Sequence, residues 1–242
     1  MPVVASLRMT SEHSLVTHAL SLAVHELRTP VTVTAGYLKM LLREQAGPIS
    51  EKQRHMLNEA ERSCARIGAL ISEMSDLGKL EAGEVAVPRA TFDLSALLAE
   101  VAGSMHEGED RGIRLDVRAG RRVPVSGDRP RLAAALKALM HLTLRERGEP
   151  GVVIVECSVL ATAGDTWAVV TMGDETVTAS LAEGAHAGTP PPFDEWRGGL
   201  GLALPVGRRV IEAHGGTLWS ARHPGPRAGS ALRLPVHGDA DR

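Results

Sequence analysis

A chain of 242 residues holds one large domain or two small ones, and 43% of it is apolar, enough to close a core. Three Trp, two Phe and one Tyr leave that core almost wholly aliphatic, which suits helix bundles. The formal net charge is −2 with basic and acidic residues interspersed, which excludes the concentrated basic face of a general nucleic-acid binder. No apolar run reaches transmembrane length and no signal-peptide pattern opens the sequence, so no membrane contact is expected and the reading places the chain in the cytoplasm. Cys64 and Cys157 lack metal-ligand spacing and read as small buried fillers rather than a disulfide.

Residues 1–11 read as an irregular lead, and residues 12–45 as one helix. Leu20, Val24, Leu27, Val31, Thr34, Leu38 and Leu41 follow the alternating four-three spacing of a coiled-coil seam. Ala46-Gly47-Pro48 breaks that helix. Ser50 caps the next one, with Gln53 at the capping-box position. The second helix carries Met56, Ala60, Ser63, Ile67, Leu70, Met74 and Leu77, again at four-three spacing. Residues 12–83 thus form an antiparallel helical hairpin. One hairpin cannot cover both of its seams, so two copies are expected to pair as a homodimeric four-helix bundle.

Residues 84–91 read as a linker, and the pattern changes after it. Asp93 caps a helix containing Leu94, Leu97, Leu98 and Val101. Residues 113–117 alternate like a strand, and residues 128–147 are helical. Residues 152–159 and 167–171 read as paired strands around Ala163-Gly164-Asp165. A Gly/Pro-rich stretch covers 184–201. A helix over 202–214 and strands over 217–221 and 230–236 follow, with residues 238–242 as a tail. The chain is therefore α+β: a helical hairpin, then an α/β sandwich over 92–237.

The chemistry concentrates in His25-Glu26-Leu27-Arg28-Thr29-Pro30. On a helix, His25, Arg28, Thr29 and Thr32 share a polar face beside the seam, so His25 projects outward. An exposed neutral imidazole is a competent nucleophile toward phosphorus. Glu26 is placed to accept the other ring proton or to orient the ring. Thr29 is placed to position a water against a phosphorylated partner. Pro30 removes the hydrogen bond to the Glu26 carbonyl and should bend the helix. His13, His18 and His55 have no such setting and read as solvent-facing.

This string resembles the phosphoacceptor motif of bacterial sensor histidine kinases, and the resemblance runs over residues 12–236. It implies a dimerisation and histidine-phosphotransfer hairpin followed by a Bergerat-type ATP-binding domain. It also implies ATP and Mg²⁺ as cofactors and a response-regulator receiver domain as partner. The sensing region that usually precedes such a core is missing, so input is expected from an upstream kinase or sensor, or the chain is an excised core.

Against the family's nucleotide boxes the sequence departs at specific places. Asp128-Arg129-Pro130-Arg131-Leu132 resembles the start of the asparagine-bearing helix, which puts Ala138 and Leu142 where the family has asparagines. The second of those supplies an oxygen to magnesium in the family, and leucine has none. Arg145 falls where the family often has a phosphate-contacting lysine. The Asp-x-Gly-x-Gly box, whose aspartate accepts from the adenine amino group, has two registers here. One puts Met172 at the aspartate; the other keeps Asp174 there, with threonines at the glycines. Pro192 to Trp196 resembles the phenylalanine box after a short lid. Gly198-Gly199-Leu200-Gly201-Leu202 resembles the final glycine box, with Arg197 in place of its first glycine. Such a loop opening a helix offers N–H groups to phosphate.

Three readings follow. In the leading one, His25 carries a phosphoryl group exchanged with a receiver aspartate, the donor being ATP, another kinase or a phosphorylated receiver. In the second the chain is an autokinase with a divergent pocket. In the third it is a non-catalytic dimeric module that regulates a receiver or kinase by binding. The lost magnesium oxygen and the altered adenine box weigh against strong autokinase activity.

Overall fold

A computed structural model describes residues 2–83, 89–162, 164–186, 192–220 and 229–237, with side chains from residue 20 onward. The chain divides into two compact units, Met1–Val85 and Ala86–Arg242.

The first unit is two helices, α1 (Pro2–Leu42) and α2 (Glu51–Glu81). Helix α1 begins well before residue 12, so the expected irregular lead is helical from Pro2. It continues through Pro30 and ends at Leu42, short of Gly47, whose φ of 111° suits glycine alone. The capping box at α2 forms as expected: Gln53 N–H donates to Ser50 Oγ, and Ser50 N–H donates to the Gln53 side chain. Arg54 then donates to the Leu42 carbonyl at 3.2 Å and pairs with Glu44. A cation is thereby held at the C-terminal end of the α1 dipole.

The expected seam of α2 is sheltered only in its second half, where Leu70, Met74 and Leu77 are half-buried. The inner stripe of α2 is Leu57, Cys64, Gly68, Ile71 and Gly78, set against Leu20, Val24, Val31 and Leu38 of α1. Cys64 Sγ lies 3.5 Å from the Val31 carbonyl oxygen, and a Cβ on Gly78 would touch Leu20 at 3.5 Å. Small residues let the helices approach closely. Met56 and Ile67, on the expected seam, stay 62% and 47% exposed, and Leu27 and Leu41 of α1 are also exposed.

The second unit carries a five-stranded sheet in the order β2-β4-β5-β7-β6. Its strands are β2 (Ile113–Ala119), β4 (Gly151–Ala161), β5 (Thr166–Gly173), β6 (Thr217–Ser220) and β7 (Ser230–Pro235). Only the β2–β4 pairing is parallel. A small separate sheet pairs β1 (Ala90–Asp93) with β3 (Pro124–Gly127). Neither of those strands was expected, and β1 claims Ala90 and Thr91 from the expected linker. Residues 84–88 of that linker, Ala163, Ala221 and the tail lie outside the described residues.

Alternation sorts the sheet into two faces. Val153, Val155, Ala168, Val170, Met172 and Leu232 are buried under α3 (Leu94–Gly103), α4 (Arg129–Glu146) and α6 (Ala203–Ala213). The opposite face is covered by α5 (Glu175–His186), a helix absent from the sequence reading. Its Leu181 and Ala185 pack with Val169, Trp219 and Ala231, and Trp219 Nε1 donates to the Leu181 carbonyl at 3.3 Å. Both cysteines are free. Burial pushes the Cys157 thiol up to about 11, opposed by a hydrogen bond with Ser95.

Asp93 caps its helix as expected, and Asp128, read as the first residue of the next helix, is its cap. Asp93 Oδ1 accepts from both Ser95 N–H and Val123 N–H, which fastens α3 to the segment before β3. His214 ends α6 and is buried. Its Nε2 accepts from Asp128 N–H at 2.9 Å, and its Nδ1 lies 2.7 Å from the Val210 carbonyl, which fixes the tautomer with the proton on Nδ1. The ring sits so close to Gly127 that a Cβ there would fall 2.3 Å from it.

His214→Ala should therefore lower the stability of the second unit by about 2–4 kcal/mol, from a cavity plus an orphaned Asp128 N–H. Urea denaturation followed by tryptophan fluorescence checks this, because Trp167, Trp196 and Trp219 all lie in that unit.

Candidate functional site

Two places carry the expected chemistry, one in each unit. In the hairpin, Val24 is buried and fixes the roll of α1, so that His25 and Glu26 point outward with side chains 79% and 72% exposed. His25 Nδ1 lies 3.6 Å from Glu26 Oε1. That is ion-pair range but longer than a hydrogen bond, so the carboxylate biases the ring without tying it down. Nε2 is then the outward nitrogen. Arg28 and Thr29 are exposed on the following turn. Thr32 donates to the Arg28 carbonyl and Thr34 to the Pro30 carbonyl, both at 2.8 Å. Residue 30, being proline, offers the Glu26 carbonyl no N–H. His55 is exposed on α2; the side chains of His13 and His18 lie outside the described residues.

In the second unit the expected nucleotide residues converge only in part. Gly198, Gly199 and Gly201 all adopt left-handed φ, at 75°, 62° and 64°, immediately before α6. Arg145 is exposed at the end of α4, and its Nη2 lies 3.8 Å from where a Cβ on Gly199 would stand. The glycine loop and the basic residue therefore come together, with Leu200 between the glycines. Asp174 does not join them as a free acceptor. Its Oδ1 accepts from Val177 N–H at 2.9 Å and caps α5. In the other register of that box, Met172 is fully buried in the sheet.

The two positions where the resemblance expects asparagines lie in the core. Ala138 and Leu142 are buried, Leu142 completely. A Cβ on Gly198 would fall 2.4 Å from Leu142 Cδ1, so the glycine loop rests on the leucine methyl. The acids and imidazole nearby are committed elsewhere: His141 Nε2 lies 2.5 Å from Glu107 Oε1, and Glu146 faces Arg197 at 3.6 Å. Burial pushes the Glu146 carboxyl up and the Arg197 guanidinium down, and each partner opposes the shift of the other. No group of three or more His, Cys, Asp or Glu able to hold a metal occurs among the described residues. The residues present do not fit ATP with Mg²⁺ in the manner the resemblance implies, since the magnesium position offers methyl groups where a hard cation needs oxygen.

The pairing of Glu146 with Arg197 was not expected. Its only trace in the sequence is one acidic and one basic residue, each standing in a box that the resemblance assigns to nucleotide.

Residues 17–83 match the family described as His Kinase A (phospho-acceptor) domain. The chain is similar to the circadian input-output histidine kinase CikA of Synechococcus elongatus, 29% identical over 79% of this chain and 26% of that protein. It is also similar to the signal transduction histidine-protein kinase BarA of Escherichia coli, 27% identical over 89% of this chain and 24% of that protein. The chain thus spans about a quarter of the length of these relatives. Among solved structures, full-length ShkA in complex with AMPPNP superposes with a TM-score of 0.69 at 20% identity, over 92% of this chain and 47% of that one, which establishes the shared fold. No described helix is long and apolar enough to cross a membrane.

Asp174→Ala is expected to cost about 1 kcal/mol, and Asp174→Asn a few tenths, because asparagine caps nearly as well as aspartate. The same fluorescence-detected urea titration measures both. Equal stability of all three proteins would remove the capping role.

Proposed function

We propose that this chain, which belongs to the histidine kinase family, works in two-component signalling as a phosphoryl carrier at His25. The observation that carries the reading is the exposed His25–Glu26 pair in the matched phosphoacceptor region; the buried Leu142, where the resemblance expects a magnesium-binding asparagine, supports it.

In the transfer step, His25 Nε2 attacks the phosphorus of a receiver domain's aspartyl phosphate. A nitrogen–phosphorus bond forms, the bond to the aspartyl oxygen breaks, and the aspartate leaves as a carboxylate. Glu26, on the Nδ1 side, takes or shares the ring proton, so the ring need not carry an uncompensated positive charge. Thr29 and Arg28 border the face on which the receiver docks. The reverse step returns the phosphoryl group to an aspartate, so the same geometry serves flow in either direction. The donor is a phosphorylated receiver or an upstream kinase rather than ATP held by this chain, and the exchange takes place in the cytoplasm.

The active form is a homodimer. Met56 and Ile67 of α2 and Leu27 and Leu41 of α1 remain exposed while the small-residue stripe is used within the hairpin. Pairing two hairpins would bury these side chains, each giving on the order of 1.5–3 kcal/mol on full burial.

Incubating the chain separately with a radiolabelled phospho-receiver and with labelled ATP and Mg²⁺ tests the carrier role. The expected result is acid-labile label acquired from the receiver, absent in His25→Gln, and little or none from ATP. Absence of label from every donor would sink the proposal, and strong labelling by ATP would make the chain an autokinase. For the dimer, Ile67→Glu should raise the dissociation constant by about tenfold or more in sedimentation equilibrium, since a carboxylate would be buried unpaired.

A further inference from the structure

Arg197 stands where the resemblance expects a glycine, yet its side chain turns inward and is only 17% exposed. Three parts of the unit hold it. Its Nη2 donates to the Gly229 carbonyl at 3.0 Å, just before β7. Its guanidinium lies over the Phe193 ring, 5.2 Å from the centroid. Its Nη1 faces Glu146 Oε2 at the end of α4, whose side chain is 18% exposed. The next residue, Gly198, rests on Leu142 one turn earlier in the same helix. Two consecutive loop residues are thus fixed to α4, one by charge and one by apolar contact.

A sheltered ion pair is an inefficient way to gain stability, because desolvation offsets most of the attraction; its better-attested use is to fix one arrangement against others. Here the arrangement fixed is the position of the glycine loop. In a nucleotide-binding site that position would be set by the ligand's phosphates and metal.

We propose that Arg197 and Glu146 form an internal latch that takes over this role, holding the glycine loop on α4 and keeping the cleft closed to ATP with Mg²⁺. The proposal deepens the reading that this chain does not load His25 from its own nucleotide site, and it rests on that reading.

Two measurements on the full chain test it. Calorimetric titration of the wild-type chain with ATP and Mg²⁺ should give no saturable heat. Tryptic cleavage of the Arg197–Gly198 bond, followed by mass spectrometry, should be slow in the wild type. Removing the charge in Glu146→Gln should accelerate that cleavage about tenfold, since local opening governs attack. Cleavage after Arg233, in β7, should not change and serves as the control for global unfolding. Saturable ATP binding by the wild type overturns the latch, as does unchanged cleavage at Arg197 in Glu146→Gln. The wild-type titration decides even where the variant unfolds. Neither result depends on label reaching His25 from a receiver, so the latch can fail while the carrier role stands.

Discussion

Burial of α4 is the constraint on which the second unit depends. Leu132, Leu136, Leu139, Met140, Leu142 and Leu144 are all buried, and they point in several directions around the helix. The helix is hemmed in by the sheet, by α3 and by α6. The approach of α6 is close enough that a Cβ on Gly207 would come within 3.5 Å of the Ala135 Cα. At its start, His214 joins α6 to Asp128. A helix so enclosed has few positions free for chemistry. Position 142 faces the glycine loop, and a leucine there gives Gly198 an apolar seat. The ion pair at the end of the helix follows from that same enclosure.

The hairpin solves a different packing problem. A helix pair with apolar residues on more than one stripe must choose which stripe to use internally. Here the internal choice is the stripe with Cys64, Gly68 and Gly78, because small side chains permit close approach and many dispersion contacts. The bulkier Met56 and Ile67 are left outside. His25 lies next to buried Val24, so the internal stripe also sets the direction of the imidazole. The fold of the hairpin and the reach of the proposed nucleophile are thus one decision about side-chain size.

Much of this was legible in the sequence, for identifiable reasons. Ser50 with Gln53 and Asp93 each precede an apolar run, and a side-chain cap is a local interaction that needs no tertiary context. The strands β4 and β5 are rich in β-branched and apolar residues. What failed was non-local or hidden. The four-three pattern located one stripe on α2 but missed the neighbouring one with Cys64, Gly68 and Gly78, since the choice depends on how closely α1 approaches. Strands β1 and β3, four residues each, exist because they pair with each other. Helix α5 was obscured by the box to which its first residues were assigned. Asp174, Val177, Leu181 and Ala185 do form a cap followed by a four-residue apolar repeat. The Arg197–Glu146 contact joins residues far apart in the chain, beyond the reach of any local pattern.

The two departures at Leu142 and Arg197 make sense together rather than singly. A binding site evolved around a ligand carries polar groups that only the ligand satisfies, and its loop is ordered by mass action when the ligand binds. Replacing an asparagine by leucine removes a polar group that would otherwise be buried without a partner. Arg197, where the resemblance expects a glycine, has a side chain that reaches Glu146, Phe193 and the Gly229 carbonyl. The first change makes the floor of the cleft self-sufficient, and the second does the same for its rim. A unit altered in this way keeps its fold at any nucleotide concentration. On the proposed reading, what such a unit gives up is its own supply of phosphoryl groups, which an external donor to the exposed imidazole on the hairpin would replace.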